Sequence, residues 1–370
     1  MRIFHIEAQS VTEADHLPTG LSDRGFLWVA CSRSEFEAEL PALQGMLQLL
    51  CGCTLLDLHV SDLLNAQLPS HHDYTSRYDL LVFRRLASAE ADGAPAQPPA
   101  PEPRRASRGG PPVLRRIDTS PVGFAVFDRV LLSVHPQGCQ ALAHYASRLL
   151  AAPGGQTRSA GPHLPQQPAD LMLRIVNQIV DGYLDLRREL SRQLDHWQTE
   201  LLQPRTRFTN WSALLEARIA LHQLDDICED QRTAVLDWIE GLAGWEPDDD
   251  TGGQRGLELL RVRSRDVLEH IERVVHHVRR LEQNAETAVQ MHFSAQSNRT
   301  NDIMRTLTAL TAIFLPLNLI AGIFGMNFEF IPLIHLENGF WWAMGAMALT
   351  TVALVALFWR KRYLARSAGR

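Results

Sequence analysis

No long apolar run occurs in the first 305 residues of this 370-residue chain, so that part holds nothing built to cross a bilayer. The opening MRIFHIEAQS lacks a basic segment followed by an apolar one, so no cleavable secretory signal is expected. Cysteine is sparse: Cys31, Cys51, Cys53, Cys139 and Cys228 are odd in number and lack the spacing of a disulfide framework. Cys51-Gly-Cys53 is too tight for a two-pair zinc site and has no second half. These thiols read as buried or idle in a reducing compartment, which makes the large N-terminal part cytosolic. A net charge of -6 gives no basic field for nucleic acid. There is no Gly-x-x-x-x-Gly-Lys loop for nucleotide phosphates. Residues 1–300 offer no nucleophile elbow and no metal-ligand cluster, so an enzyme is not expected.

What is present falls into three regions. Residues 1–165 read as a cytoplasmic α/β domain. Gly25 to Cys31, Tyr78 to Phe83, Val122 to Phe127 and Val130 to Val134 are strand-like, the last two joined by Asp128-Arg129 as a hairpin. Helical stretches are expected around 34–50 and 137–150. Residues 87–113, rich in Ala, Pro, Gly, Arg and Ser, read as a disordered insertion inside this domain. Ala152 to Pro168 reads as the loose end of the unit.

From Asp170 the period changes, and residues 166–305 read as a region of long cytoplasmic helices. Met172, Val176, Ile179, Tyr183, Leu186, Leu190, Leu194, Trp197 and Leu201 step by three or four. A second helix is expected from about Trp211 to Leu242, followed by breakers at Gly244, Pro247 and Gly252-Gly253. A third begins near Gly256 and continues to the membrane, with Val267, Ile271, Val274, Val278, Leu281, Ala285, Ala288 and His292 on one face.

Thr306 to Phe324 and Phe340 to Trp359 are 19 and 20 residues without a charge, each long enough to span a bilayer. Arg360, Lys361, Arg362, Arg366 and Arg370 form a basic tail over 360–370, whereas the connection 325–339 holds no Lys or Arg. The asymmetry places both termini in the cytoplasm of a cell inner or plasma membrane. The first span carries Thr308, Thr311, Pro316 and Asn318. Asn301, Met304, Thr308, Thr311, Leu315, Asn318, Gly322 and Gly325 alternate steps of three and four, which puts them on one stripe. Such a stripe either glues helices together or lines a water-filled path. Two spans cannot enclose a path, so the second reading requires several copies of the chain.

Ser297-Asn298-Arg299-Thr300-Asn301, and then Ile320 through Gly325-Met326-Asn327-Phe328-Glu329-Phe330, closely resemble the CorA family of magnesium and divalent-cation transporters. The Gly-Met-Asn tripeptide stands at the end of the first of two C-terminal spans, and the likeness extends to the whole architecture. The resemblance implies an α+β membrane protein: a homopentamer whose first spans surround a pore above a funnel of long helices. It further implies Mg²⁺ influx driven by membrane potential and gated by cytoplasmic Mg²⁺. Gly325, Met326, Asn327 and Glu329 would form the ion entry, Asn301 and Asn318 polar rings, and Met304 and Leu307 an apolar gate. Regulatory Mg²⁺ would fall to Asp62 and Asp266.

Departures from the family pattern are visible. Ile331-Pro332-Leu333-Ile334 replaces the usual Met-Pro-Glu-Leu, leaving Glu329 and Glu337 in the external loop, and Gln290 stands where a second regulatory Asp is expected. His270, His276 and His277 lie on the same helix as Asp266, His335 lies in the outer loop, and imidazole favours Zn²⁺, Co²⁺ or Ni²⁺. The alternative is therefore a transition-metal transporter similar to the ZntB branch, with proton coupling. A membrane-tethered scaffold ranks last, because it leaves the polar stripe without a role.

Overall fold

The computed structural model describes residues 1–7, 10–21, 25–86, 119–151, 164–202, 211–245, 251–326 and 338–360. The 87–113 insertion, most of the 152–168 stretch and the basic tail beyond Arg360 lie outside the described residues. The chain divides into two compact units: Met1–Leu201 with Thr206–Glu286, and Leu202–Arg205 with Thr287–Arg370.

The first unit is built on a seven-stranded sheet ordered β2-β1-β3-β7-β6-β5-β4. Its strands are β1 (Arg2–Glu7), β2 (Val11–Ala14), β3 (Gly25–Ser32), β4 (His71–Tyr74), β5 (Asp79–Leu86), β6 (Thr119–Val126) and β7 (Val130–His135). Only β3 and β7 run parallel; every other neighbouring pair is antiparallel. The expected hairpin joins β6 to β7, closed by Phe127 N–H donating to the Val130 carbonyl at 2.9 Å. β3 is buried along nearly its whole length, as a strand covered on both faces must be.

One face of the sheet packs on α1 (Arg33–Cys51) and α2 (Asp57–Leu64) through Leu27, Val29, Leu132, Phe36, Leu47 and Leu63. Ser32 and Glu35 form a capping box at the start of α1, and Gly52 ends it at φ 68°. On the other face Phe4 stacks on Trp28 with ring centroids 4.7 Å apart. Tyr145 of α3 (Gln140–Ala151) meets Trp28 edge-on. The helix expected from residue 137 starts three residues later because Gly138 sits at φ 70°, outside the helical region.

The long helices are α4 (Pro168–Leu202), α5 (Trp211–Gly241) and α6 (Thr251–Phe324), followed by α7 (Gly339–Arg360). α6 begins five residues before the expected Gly256 and includes Gly252-Gly253. Glycine costs about 1 kcal/mol in a helix interior through backbone entropy, but Gly252-Gly253 sit in the first turn and not in the interior. Within the first unit, polar groups fix the helix register. Asp170 on α4 is buried and binds Arg174 at 3.0 Å and Arg263 on α6 at 2.7 Å. Trp238 on α5 donates to Ser264 Oγ at 3.0 Å. Tyr183 of α4 and Gln231 of α5 both donate to the Arg84 carbonyl of β5, at 3.2 and 2.7 Å.

Candidate ion path and metal-sensing residues

The second unit holds two helices that are long and apolar enough to cross a membrane, α7 and the C-terminal part of α6. At about 100° per residue, α6 carries two stripes on opposite sides over residues 301–325. On one, Ala309 and Ile313 are buried, and Ala312, Pro316, Leu317, Ile320 and Phe324 are half-buried. α7 has a matching half-buried stripe of Ala343, Met347, Thr350, Leu354 and Phe358. These are the faces available for pairing the two helices. On the other stripe Asn301, Met304, Thr308, Thr311, Leu315, Asn318, Gly322 and Gly325 are all exposed in the single chain, with Leu307 on its flank.

Thr308 and Thr311 donate back to the Met304 and Leu307 carbonyls at 2.8 and 2.9 Å. The threonines of α7 do the same to Ala346 and Met347. A hydroxyl bound this way is satisfied without any neighbouring helix, yet its oxygen still presents a lone pair outward. The glue reading is therefore not required to satisfy these groups. At the end of α6 the Gly325 N–H bonds the Ala321 carbonyl at 2.9 Å and Met326 N–H reaches that of Ile323 at 3.3 Å. Asn327 and Glu329 lie outside the described residues, as do Ile331 to Ile334, His335 and Glu337. At the head of α7, Phe340, Trp341 and Trp342 are 67, 72 and 68% exposed, the composition of an interfacial belt.

The two implied regulatory aspartates belong to the first unit. Asp62 lies on the last turn of α2. That helix is seated by Leu63 against Gly123 of β6, where a Cβ would overlap the leucine side chain. A second tie comes from His59, 2.7 Å from Tyr78 Oη and 3.1 Å from Asp73 Oδ2. Burial alone would raise the Asp73 carboxyl, but the hydrogen bonds from His59 and the Tyr74 N–H hold it below its ordinary value. Asp62 Oδ2 faces His71 Nε2 at 4.0 Å.

Asp266 lies on α6, its Oδ1 3.9 Å from Nε2 of His270 one turn on. Across from it Asp181 of α4 stands 3.8 Å from His270 Nδ1. Asp181 and Asp266 line a cavity of about 230 Å³ with Asn177, Gln178, Arg174 and Arg263. The side-chain oxygens of Asn177 and Gln178 are buried without a partner. No hydrogen bond or ion pair among the described residues joins Asp62 to Asp266. No group of three or more His, Cys, Asp or Glu among them could hold a metal ion. The donors fit a dication chemically, as carboxylate and amide oxygens, but each aspartate supplies only part of a coordination shell. His71 and Asp181 were missed from the sequence, because both matter only through neighbours on other elements.

The five cysteines are free, and burial pushes the Cys31, Cys51 and Cys228 thiols up to about 12, which makes them poor ligands and nucleophiles.

A mixed-sheet domain, a helix leaving it to become an apolar span and a second apolar helix define a two-span membrane protein. The sequence profile described as CorA-like Mg²⁺ transporter protein matches residues 110–362, and the chain belongs to this family. Among its relatives, the cobalt/magnesium transport protein CorA of Thermotoga maritima is 34% identical over 100 residues, covering 27% of this chain and 28% of that protein. The putative metal ion transporter YfjQ of Bacillus subtilis is 25% identical over 253 residues, covering 66% of this chain and 71% of the relative. The complete structure of the CorA magnesium transporter from Methanocaldococcus jannaschii superposes with a TM-score of 0.69 at 17% identity. That match covers 97% of this chain and 98% of the other, and it shows the α+β fold with two C-terminal helices.

Proposed function

We propose that the chain assembles as a homopentameric channel for divalent cations, carrying Mg²⁺ into the cytoplasm down the membrane potential. The observation that carries this reading is the stripe from Asn301 to Gly325. It is polar in an apolar span, uncovered in the single chain and opposite the face available for α7. Five such stripes turned inward give rings of amide and hydroxyl oxygens at Asn301, Thr308, Thr311 and Asn318. Those oxygens hold the hydration shell of an ion that gives up water reluctantly. Met304 and Leu307 form the apolar constriction, which blocks conduction when it dewets. Gly325, Met326, Asn327 and Glu329 form the outer mouth, and the basic tail after α7 keeps both termini cytoplasmic. An interior-negative membrane supplies about 2.3 kcal/mol per charge per 100 mV, so influx of a dication needs no fuel.

Asp62 and Asp266 are proposed to hold regulatory Mg²⁺ between neighbouring subunits, with Asp181 beside Asp266. A dication there offsets the repulsion of carboxylates brought together across the interface. Asp62 and Asp266 then repel when it leaves, and the ring loosens. The competing reading, transport of Zn²⁺, Co²⁺ or Ni²⁺ with proton coupling, draws on the histidines beside both aspartates.

Uptake into proteoliposomes containing the purified protein separates the two. Saturable Mg²⁺ entry that follows membrane potential and is lost in Asn318→Leu and Asn327→Ala supports the channel. Zn²⁺ entry that tracks a proton gradient, with Mg²⁺ excluded, refutes it.

A further inference from the structure

Five histidines of the first unit sort into two kinds by distance. His59, His72 and His277 are tied at hydrogen-bond length: His59 by both nitrogens, His72 to Asp79 at 3.1 Å, and His277 to Ser191 at 2.8 Å. His71 and His270 differ from all of these. Each holds Nε2 at 4.0 or 3.9 Å from a carboxylate oxygen, and in each case the carboxylate is a candidate sensing residue. That separation is too long for a hydrogen bond. Two donors on one cation, with metal–nitrogen and metal–oxygen bonds of about 2.0–2.2 Å, stand roughly 3.0–3.5 Å apart in tetrahedral or octahedral geometry, so each pair would close by about half an ångström on a bound ion.

The far nitrogens support the same assignment. His71 Nδ1 lies 3.2 Å from the Pro69 carbonyl, to which Nδ1–H donates, so the lone pair sits on Nε2, towards Asp62. His270 Nδ1 is buried without a hydrogen bond, and the nearest carboxylate is Asp181, 3.8 Å away on another helix. An imidazole whose second nitrogen faces a carbonyl or carboxylate is the usual arrangement of a metal-ligating histidine. Asp266 and His270 are also four residues apart on one helix, so their side chains share a face.

We propose that Asp62 with His71, and Asp266 with His270, are carboxylate–imidazole half-sites that bind a first-row transition dication in preference to Mg²⁺. The proposal rests on the reading of Asp62 and Asp266 as sensing residues, and it names the ion class they sense. Oxygen-only shells suit Mg²⁺, which keeps its water; each imidazole added shifts preference towards Co²⁺, Ni²⁺ and Zn²⁺. Asp181 is then a positioning residue that orients the His270 ring. The channel closes on a small excess of cytoplasmic transition metal at concentrations where Mg²⁺ alone leaves it open.

The test uses the full-length protein in lipid nanodiscs and reads limited proteolysis of the cytoplasmic part against Mg²⁺, Co²⁺ and Ni²⁺. In the natural protein Co²⁺ and Ni²⁺ should half-protect at a concentration at least ~10-fold below that of Mg²⁺. Combined His71→Gln and His270→Gln should collapse that ratio to within about twofold, and Asp181→Asn, which touches only the His270 half-site, should lower it by a smaller factor. The visible absorption of bound Co²⁺ should change in the histidine variants, which a structural role for these rings would not cause. Equal potency of the three ions, or a ratio that survives both histidine substitutions, overturns the proposal.

Combined Asp62→Asn and Asp266→Asn separates this from failure of the underlying reading. If Mg²⁺ protection persists in that variant, the aspartates are not sensors. If it is lost while the ratio ignores the histidines, only the transition-metal proposal falls. Metal-free melting temperatures identify variants that fail to fold, and His71→Asn with His270→Asn replaces the glutamine pair in that case.

Discussion

Gly123→Ala is the smallest change that should disturb the seat of Asp62. Gly123 is paired with Val82 and Val134 in the middle of the sheet, so its backbone cannot move far. A Cβ there would overlap Leu63 Cδ2 and stand 3.6 Å from Leu63 Cγ and 3.8 Å from its backbone Cα. Leu63 is only 2% exposed, so its side chain must turn within the core or α2 must lift. Overpacking of this kind costs about 1–3 kcal/mol. α2 has only eight residues and no side-chain N-cap, so most of that cost should appear as local opening of α2. Hydrogen exchange reads it directly: amides of α2 should exchange roughly 5- to 150-fold faster, while those of β3 and β7 hardly change.

Leu63→Ala alone leaves a cavity and costs about 2–5 kcal/mol. In the double variant the new methyl of residue 123 enters that cavity, so the two effects should fall short of additivity by about 1 kcal/mol or more. Unchanged α2 exchange in Gly123→Ala, or strict additivity with Leu63→Ala, would refute the close-approach argument.

Two further outcomes follow from the same packing. Asp170→Asn should leave Arg174 (14% exposed) without its carboxylate and lower stability by about 3–5 kcal/mol, towards the lower end because Arg263 (34% exposed) can turn to solvent; a melting temperature unchanged within error would contradict this. Asp73 has a folded pKa below its unfolded one. Its contribution is therefore present above the unfolded value near 4 and is lost as pH falls through the lower folded value. Asp73→Asn should remove part of the acid sensitivity of α2 exchange below about pH 4; identical pH profiles in the two proteins would reject that assignment.

The elements that could be read from sequence are those with a strong period or a sustained apolar run. β3, β5, β6 and β7 are buried runs bounded by turns, α4 and α6 repeat at three or four over many turns, and α7 is a sustained uncharged apolar run. β2 and β4 carry four residues each and are half-exposed at the sheet edges, so no hydrophobic alternation marks them. The eight residues of α2 are too few to establish a period. The stripe on the first span was legible because its spacing is regular. Which side of the helix faces α7 was not, since Ala309, Ile313 and Pro316 are no more apolar than their neighbours. The pairing of Asp62 with His71 needed the α2–β4 contact, and that of Asp181 with His270 needed the register of α4 on α6, which no local pattern encodes.

The halves that the single chain leaves incomplete also explain why a ring would respond steeply. One site at ten times its dissociation constant biases a conformation by about 1.4 kcal/mol, enough for only a tenfold shift. In the pentamer proposed above, five equivalent sites acting on one gate would supply about 7 kcal/mol, enough to carry an equilibrium from mostly open to almost wholly closed. On that proposal the chain would gain by keeping each half-site weak, with two or three donors of its own. A complete site within one subunit would stay filled in every conformation and bias none. On the proposed reading, the separation of Asp62 on α2 from Asp266 on α6 would let a bound ion report on assembly geometry. The 3.9–4.0 Å gaps to His71 and His270 would then leave each proposed half-site open until a cation closed it.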